Sequence, residues 1–135
     1  MFLLDTNVVS DAAKKTNHLL NSFLASQTKE SLFISTISLA EISYGIYRLP
    51  KGRKKDALTA DLLRMEELFE GQILDLTAKI ALEYGRIQAM QVSQGFNDNP
   101  FDNLIIATAI VNNLTVLTRN HKDFINRGVK VFYPK

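Results

Sequence analysis

The sequence of 135 residues predicts a three-layer α/β/α fold around a mainly parallel sheet of about five strands. Short apolar runs alternate along the chain with longer segments whose apolar residues recur at helical spacing. One helical segment, Leu104 to Val111, contains no charged residue, which is typical of a helix buried on every side. No repeat, low-complexity tract or linker-like shift in composition interrupts this pattern, so we expect one domain over residues 1–135.

Five apolar runs are the predicted strands. Each is short, and the first two end abruptly at residues that start helices. The predicted strands are Phe2–Leu4, Leu32–Ile34, Ile73–Leu76, Val116–Leu117 and Val129–Tyr133.

The predicted helices follow the strands and are bounded by caps and breakers. Asp5-Thr6-Asn7 starts the first helix, Pro50-Lys51-Gly52 separates the next two, and Gly95 closes a later one. Asn97-Asp98-Asn99-Pro100 is a predicted turn, in which Asp98 has a turn role rather than a site role. The later predicted helices span Ser35-Thr36 to about Leu49, about Arg53 to Glu70, about Ala78 to Gln94, Pro100 through Val111, and Asn120 to Ile125.

The composition limits the kind of site this chain can hold. There is no cysteine, which excludes a disulfide framework, a thiolate zinc site and a cysteine nucleophile. With only two histidines, a metal ion must be held mainly by oxygen, which points to Mg²⁺ or Mn²⁺. A net charge of +2 is compatible with a nucleic-acid substrate. No apolar run is long enough to span a bilayer, so we expect a cytoplasmic protein.

Four carboxyl groups are predicted to gather at one edge of the sheet, because the carboxyl ends of parallel strands meet there. Asp5 ends the first strand, and Glu41 lies in the second turn of the helix after the second strand. Asp102 lies in the first turn of the charge-free helix, and Asp123 closely follows the fourth strand.

Each of these residues also has an ordinary structural explanation. Asp5 alone is equally well explained as the cap of the helix that follows it. Asp102 and Asp123 can simply favour the positive ends of their helices, and Glu41 can be a solvated helix residue. Asn120, which follows the fourth strand, is by itself best explained as a helix cap. The combination favours a site, because clustered carboxylates repel one another and a hard divalent cation relieves that repulsion. Phosphodiester hydrolysis is the chemistry that suits such a site.

Several segments together resemble the PIN domain, and within it the VapC-type toxin ribonucleases of bacterial toxin–antitoxin pairs. The resemblance covers essentially the whole chain and keeps the order of the segments. No segment is specific alone, but the set is. The matching segments are Leu3–Asn7, Ile37–Ile42, Tyr44–Ile46, Arg48–Lys55, Phe101–Ala109, Val116–Asn120 and Lys122–Phe124.

The resemblance implies a Mg²⁺-dependent endoribonuclease, with Mn²⁺ as the alternative ion, that acts on tRNA or rRNA. It assigns Asp5, Glu41 and Asp102 to the acidic triad that holds the metal. The fourth position varies in the family: some members have an aspartate where this chain has Asn120, and others use the position of Asp123. We therefore expect Asp123 to supply the fourth catalytic carboxylate, while Asn120 can still offer its side-chain oxygen.

The resemblance also implies supporting residues and protein partners. Thr6 and Thr118 match hydroxyl positions that hydrogen-bond the acidic residues or a water, although helix-cap and turn roles explain them equally well. The implied partners are the RNA substrate, a second copy of the chain in a homodimer, and a cognate VapB-like antitoxin whose C-terminal tail blocks the active site.

Two basic segments are candidates for contact with RNA. Arg53 and Lys54 belong to the densest basic run, which is either solvated surface or a phosphate-contacting tip. Arg119 and Lys122 directly follow the fourth strand, so we expect them closer to the scissile phosphate.

Two other functions are weighed against the ribonuclease. A phosphotransfer receiver or phosphatase also has an aspartate after a parallel strand, but it needs a lysine after a late strand, and none follows Leu117 directly. A catalytically silent PIN-like scaffold would only bind RNA or a partner. The intact set of Asp5, Glu41 and Asp102 argues against the scaffold, while Asn120 leaves it some room.

Overall fold

The computed structural model describes residues 1–95 and 99–135. Within these residues the elements alternate as the sequence predicts. In chain order they are β1 (Phe2–Leu4), α1 (Thr6–Lys14), α2 (His18–Ser26), β2 (Leu32–Ser35), α3 (Thr36–Tyr47), α4 (Arg53–Leu68), β3 (Ile73–Leu74), α5 (Ala78–Ser93), α6 (Pro100–Asn112), β4 (Thr115–Leu117), α7 (His121–Phe124) and β5 (Val131–Phe132).

The five strands form one parallel sheet in the order β3-β2-β1-β4-β5. β1 is therefore central: Phe2 pairs with Leu32 of β2 on one side and with Thr115 of β4 on the other. The chain leaves β1 towards one side of the sheet and later returns to the other side. This is the switch point at which parallel sheets open a crevice beyond the carboxyl ends of their strands.

Both faces of the sheet are covered by helices, which confirms the predicted three-layer architecture. Side chains alternate along each strand, so Leu3 and Val116 pack on the face covered by α5 and α6. Their neighbours Leu4 and Leu117 pack on the opposite face with residues of α1, α2 and α4. Strands buried on both faces explain why the apolar runs in the sequence are continuous rather than alternating.

Helix α6 is buried along its centre, as its lack of charge predicts. The consecutive residues from Ile105 to Ala109 are at most 1% exposed. The side chain of Asn99 caps the helix by accepting a hydrogen bond from the Phe101 N–H at 3.0 Å, and Pro100 occupies the first turn. At the other end Asn113 adopts a left-handed conformation with φ of 54°. The first turn, which contains Asp102, is therefore fixed to the core by the turns behind it.

The largest differences between the structure and the predicted elements lie in three places. β3 ends at Leu74 rather than Leu76, because its partner β2 ends at Ser35 and offers no backbone beyond that point. β5 is shorter than 129–133, since β4 provides only three residues to pair with it. Helix α2 has no counterpart among the predicted helices, although Asn17 caps it by accepting the Leu20 N–H at 3.0 Å.

The predicted turn falls partly outside the described residues, which include neither Asn97 nor Asp98. In the described parts of the chain, no helix is both long enough and apolar enough to cross a membrane.

Candidate active site

Asp5 lies at the carboxyl end of the central strand and is only 4% exposed. Its backbone N–H continues the sheet by donating to the Leu117 carbonyl at 3.0 Å. One carboxylate oxygen, Oδ1, accepts the Thr6 N–H at 2.8 Å, and the other, Oδ2, accepts the Thr118 hydroxyl at 2.9 Å. Asp5 therefore caps α1, as its position in the sequence predicts, with a carboxylate that lies at the carboxyl edge of the sheet.

The Thr118 hydroxyl is held in a fixed direction by a second hydrogen bond. Thr118 is fully buried at the end of β4, and its Oγ1 accepts the backbone N–H of Asn120 at 3.0 Å. Because a hydroxyl has one hydrogen, accepting on one side leaves that hydrogen for Asp5. Thr118 thus orients the Asp5 carboxylate through a short relay that begins at the backbone.

A matching relay orients Glu41. The Thr6 hydroxyl donates to Glu41 Oε1 at 2.7 Å, and the Ser38 Oγ lies 2.9 Å from the same Thr6 oxygen. Since Thr6 donates its only hydroxyl hydrogen to Glu41, Ser38 is the donor to Thr6. Ser38 is completely buried on α3, one turn before Glu41. Nothing in the sequence pattern singles out Ser38, because a serine inside a helix is usually unremarkable.

Asp102 is the carboxyl group that its surroundings disturb most. Burial against the apolar helix α6 is the main reason that the pKa of Asp102 rises to about 6 from its ordinary 3.8. The negative charges of Asp5, Asp123 and Glu41 raise it further, in that order, while the Arg127 guanidinium opposes them. Four carboxyl groups from four different elements therefore act on one another at this edge of the sheet.

The pKa values of Asp5 and Glu41 are also raised. Burial raises the pKa of Asp5, while the hydrogen bonds from Thr118 and from the Thr6 N–H act against that rise. Burial also raises the pKa of Glu41. The hydrogen bond from Thr6 lowers this pKa, and the negative charge of Asp5 raises it further. Both carboxyl groups would be more readily ionised if a cation stood between them.

The two candidates for the fourth position differ in their placement. Asp123 is exposed in the short helix α7, and its charge raises the pKa of both Asp5 and Asp102. The Asn120 side chain is exposed and does not cap α7. Its predicted capping role is therefore wrong. Asn120 contributes instead through the backbone N–H that supports Thr118, and any residue type but proline can make that bond.

Arg127 is the positive group that lowers the pKa of Asp102, and the sequence pattern does not indicate it. The guanidinium donates from Nη1 to the side-chain oxygen of Gln91 at 2.7 Å. Gln91 is 1% exposed on α5, so a buried amide holds the arginine in place beside the acidic edge. A single arginine in a loop between a helix and a strand carries no local signal of this role.

The predicted RNA-contacting residues fall into two groups. Arg119 directly follows Thr118, lies 3.2 Å from Asp11 in an ion pair, and lowers the pKa of Asp5. Lys122 is exposed on α7 near the same edge. Arg53 and Lys54 are exposed in the first turn of α4, and within residues 1–95 and 99–135 no hydrogen bond or ion pair connects them to the acidic side chains.

The acidic edge suits a hard cation that retains much of its water. All of its ligand atoms are oxygens, two of its carboxylates are oriented by hydroxyls, and their pKa values are raised by burial and mutual repulsion. In the described part of the chain no three acidic or histidine side chains stand close enough to enclose an ion by themselves. Mg²⁺ needs only one or two direct carboxylates and keeps several waters, so these residues fit it.

Comparisons with known proteins find a matching family and similar sequences. The sequence profile of the PIN domain matches residues 2–129. The chain is 34% identical to "Toxin FitB" of Neisseria gonorrhoeae, over 99% of this chain and 98% of that protein. It is 29% identical to the "tRNA(fMet)-specific endonuclease VapC" of Salmonella typhimurium, over 91% of this chain and 89% of that protein.

A solved structure shares the whole architecture. The crystal structure of VapBC2 from Rickettsia felis, bound to a DNA fragment from their promoter, superposes with a TM-score of 0.84 at 28% identity. The superposition covers 99% of this chain and 98% of the matched chain. This chain belongs to the PIN domain family.

Proposed function

We propose that this chain is a Mg²⁺-dependent endoribonuclease and the toxin of a toxin–antitoxin pair. The observation that carries the proposal is the set of four mutually repelling carboxyl groups at the switch point of the sheet, two of them oriented by hydroxyl relays. PIN-domain ribonucleases generally depend on a divalent metal ion. The whole chain, residues 1–135, forms the single catalytic domain in this proposal.

Asp5, Asp102 and Glu41 would hold the ion, one or two of them directly and the others through its waters, and Asp123 would complete the acidic set. The ion, when bound, supplies a water of lowered pKa and neutralises charge on the scissile phosphate. Thr118 and Thr6 keep the Asp5 and Glu41 carboxylates in one direction, so they do not reorganise during the reaction. Arg119 stands next to Thr118 and would contact a phosphate oxygen of the RNA.

The RNA substrate and the protein partners are supported by the relatives. One relative is named as a tRNA-specific endonuclease and another as a toxin, and the superposed R. felis chain comes from a VapBC complex. We propose a structured RNA such as tRNA as the substrate, a VapB-like antitoxin as the inhibitor, and a homodimer as the working assembly. Mn²⁺ is the alternative ion, because it accepts the same oxygen ligands.

The test is cleavage of total RNA by the purified protein in Mg²⁺ or Mn²⁺, with EDTA and the variant Asp5→Asn as controls. Cleavage should need a metal ion and should disappear in Asp5→Asn. The amide carries no charge and has one acceptor oxygen, so it cannot accept both the Thr6 N–H and the Thr118 hydroxyl. Glu66→Gln is the matched control, because Glu66 is an exposed carboxylate on α4. It should cleave as the wild type does.

The outcome that contradicts the proposal is equally definite. If the folded wild-type protein cleaves no RNA in either ion, the nuclease assignment is wrong, and the silent RNA-binding or partner-binding scaffold replaces it. If Asp5→Asn cleaves as well as Glu66→Gln, the activity does not come from the acidic edge.

A further inference from the structure

A second surface, next to the acidic edge, combines exposed aromatic rings with cations. Tyr44 and Tyr47 are 65% and 80% exposed on α3, which is unusual for tyrosines of a folded domain. We call this surface, together with the turn that follows it, the aromatic–basic face. It consists of Tyr44, Tyr47, Arg48, Lys51, Arg53, Lys54 and Lys55.

The cations of this face lack acidic partners. Residues 48 to 55 contain five lysines and arginines, and the nearest carboxylate in sequence is Asp56. Within the described ranges, none of these five side chains forms an ion pair. A concentration of unpaired positive charge on a chain of net charge +2 attracts an anionic partner.

Two of the cations lie against the two tyrosines. The Arg48 guanidinium stands 5.1 Å from the centre of the Tyr44 ring, and the Lys55 ammonium stands 5.8 Å from the centre of the Tyr47 ring. Lys55 also donates to the Leu49 carbonyl at 3.2 Å, which fixes the turn. Each ring therefore has a cation close by and still exposes most of its surface.

The face continues directly from the acidic edge along α3. Tyr44 follows Glu41 by three residues and Arg48 follows it by seven, so both lie within about 60° of Glu41 around the helix axis. They stand roughly 5 and 10 Å further along that axis. An RNA strand that crosses the acidic edge beside Glu41 would next contact Tyr44.

We propose that the aromatic–basic face binds single-stranded RNA next to the cleavage site, with bases stacked on Tyr44 and Tyr47 and phosphates contacted by Arg48, Lys51, Arg53 and Lys54. The inference rests on the proposed ribonuclease function and adds the surface of this chain that would hold the unpaired RNA beside the scissile bond. Stacking rings interleaved with cations are the combination that binds single strands with little sequence preference. An apolar protein partner would not account for the five unpaired cations.

The first experiment measures binding without cleavage. A fluorescent 12-nucleotide single-stranded RNA is titrated with protein in EDTA, and its anisotropy is recorded. Tyr44→Ala and Tyr47→Ala should each weaken binding about tenfold, while Tyr44→Phe and Tyr47→Phe, which keep the ring, should bind as the wild type does. Leu63→Ala is the matched control, because Leu63 is a 58% exposed apolar residue on the neighbouring helix α4.

The second experiment tests the phosphate contacts. Changing Lys51, Arg53 and Lys54 together to glutamine should reduce the slope of log affinity against log salt concentration by about 2, since each phosphate contact on a single strand contributes about 0.7. Cleavage of the 12-nucleotide RNA in Mg²⁺ should fall in Tyr47→Ala and stay unchanged in Leu63→Ala.

These measurements separate the two proposals. A wild-type protein that binds RNA in EDTA through these tyrosines but never cleaves it would contradict the nuclease function and leave the binding face intact. Wild-type protein that does not bind the 12-mer, or alanine variants that bind it unchanged, would overturn the binding face. Sedimentation of the same variants gives a further test. If the alanine variants lose RNA binding only when they also lose self-association, the tyrosines form the contact between two copies of the chain, and the proposed binding face is wrong.

Discussion

The metal-free acidic edge should be a source of instability, and Asp102→Asn should relieve it. Asp102 carries a charge that its apolar helix and three neighbouring carboxylates disfavour, which is why its pKa rises to about 6. Asparagine has nearly the same shape and no charge. We therefore expect the variant to be inactive yet more stable than the wild type at pH 8 in EDTA, where the aspartate is ionised.

The size of the effect follows from the pKa. A pKa near 6 against an ordinary 3.8 corresponds to about 3 kcal/mol between the two protonation states. Because the carboxyl group is only half-buried, solvent screening reduces this to about 1–1.5 kcal/mol. Between about pH 4 and pH 6 the folded carboxyl group keeps a proton that the unfolded chain releases, so the wild type loses this stability as the pH rises. The loss is complete above the folded pKa.

Urea denaturation of both proteins at pH 4 and pH 8 measures the difference. The variant should exceed the wild type by about 1–1.5 kcal/mol at pH 8, or roughly 3–5 °C in Tm, and should equal it at pH 4, where Asp102 is protonated. Saturating Mg²⁺ at pH 8 should increase the stability of the wild type more than that of the variant, because the variant has lost a carboxylate that would hold the ion. The difference in stability between Glu66→Gln and the wild type should be the same at pH 4 and pH 8. If Asp102→Asn is no more stable than the wild type at pH 8, the Asp102 carboxylate is not destabilised by its neighbours.

Two further predictions concern residues beside the site. Thr118→Val keeps the shape of a fully buried side chain but leaves Asp5 Oδ2 and the Asn120 N–H without these hydrogen bonds. The variant should therefore lose about 1–3 kcal/mol of stability in urea denaturation and cleave RNA at least tenfold more slowly. Thr118→Ser keeps the hydroxyl and should retain both the stability and the activity. Arg119→Ala should reduce RNA cleavage more than Lys54→Ala, since Arg119 adjoins the acidic edge and Lys54 is one of several exposed cations. Equal losses in a kcat/KM comparison would place the scissile phosphate away from Arg119.

The part of the site that could be predicted from the sequence is the part fixed by topology. In a parallel sheet every strand ends at the same edge, so Asp5 after β1 and Glu41 on the helix after β2 had to approach each other once the strands were recognised. Asp102 could be predicted to be partly buried because it lies in the first turn of a charge-free helix, although the positive end of that helix explains an aspartate there as well. Helix α6 was recognisable for the same reason, since its sequence suits only a buried position.

What could not be predicted depends on contacts between residues distant in sequence. The role of Ser38 exists only because the Thr6 hydroxyl stands between it and Glu41, and nothing in the local sequence encodes that neighbour. Arg127 reaches the acidic edge because buried Gln91 holds it, which is a contact between α5 and the loop before β5. The capping role expected of Asn120 was wrong because its backbone, not its side chain, makes the contact that matters.

The pairing of the first strand with the fourth also determines when the protein can act. The hydrogen bond from Thr118 to Asp5 joins residues 113 positions apart, and β1 pairs with both β2 and β4. Contacts so distant in the chain can form only once both β1 and β4 have been synthesised. A chain that ends before β4 contains Asp5 and Glu41 but neither the strand nor the hydroxyl that completes the edge. We therefore expect such a truncated chain to cleave no RNA, so that the activity arises only when almost the entire chain has been made.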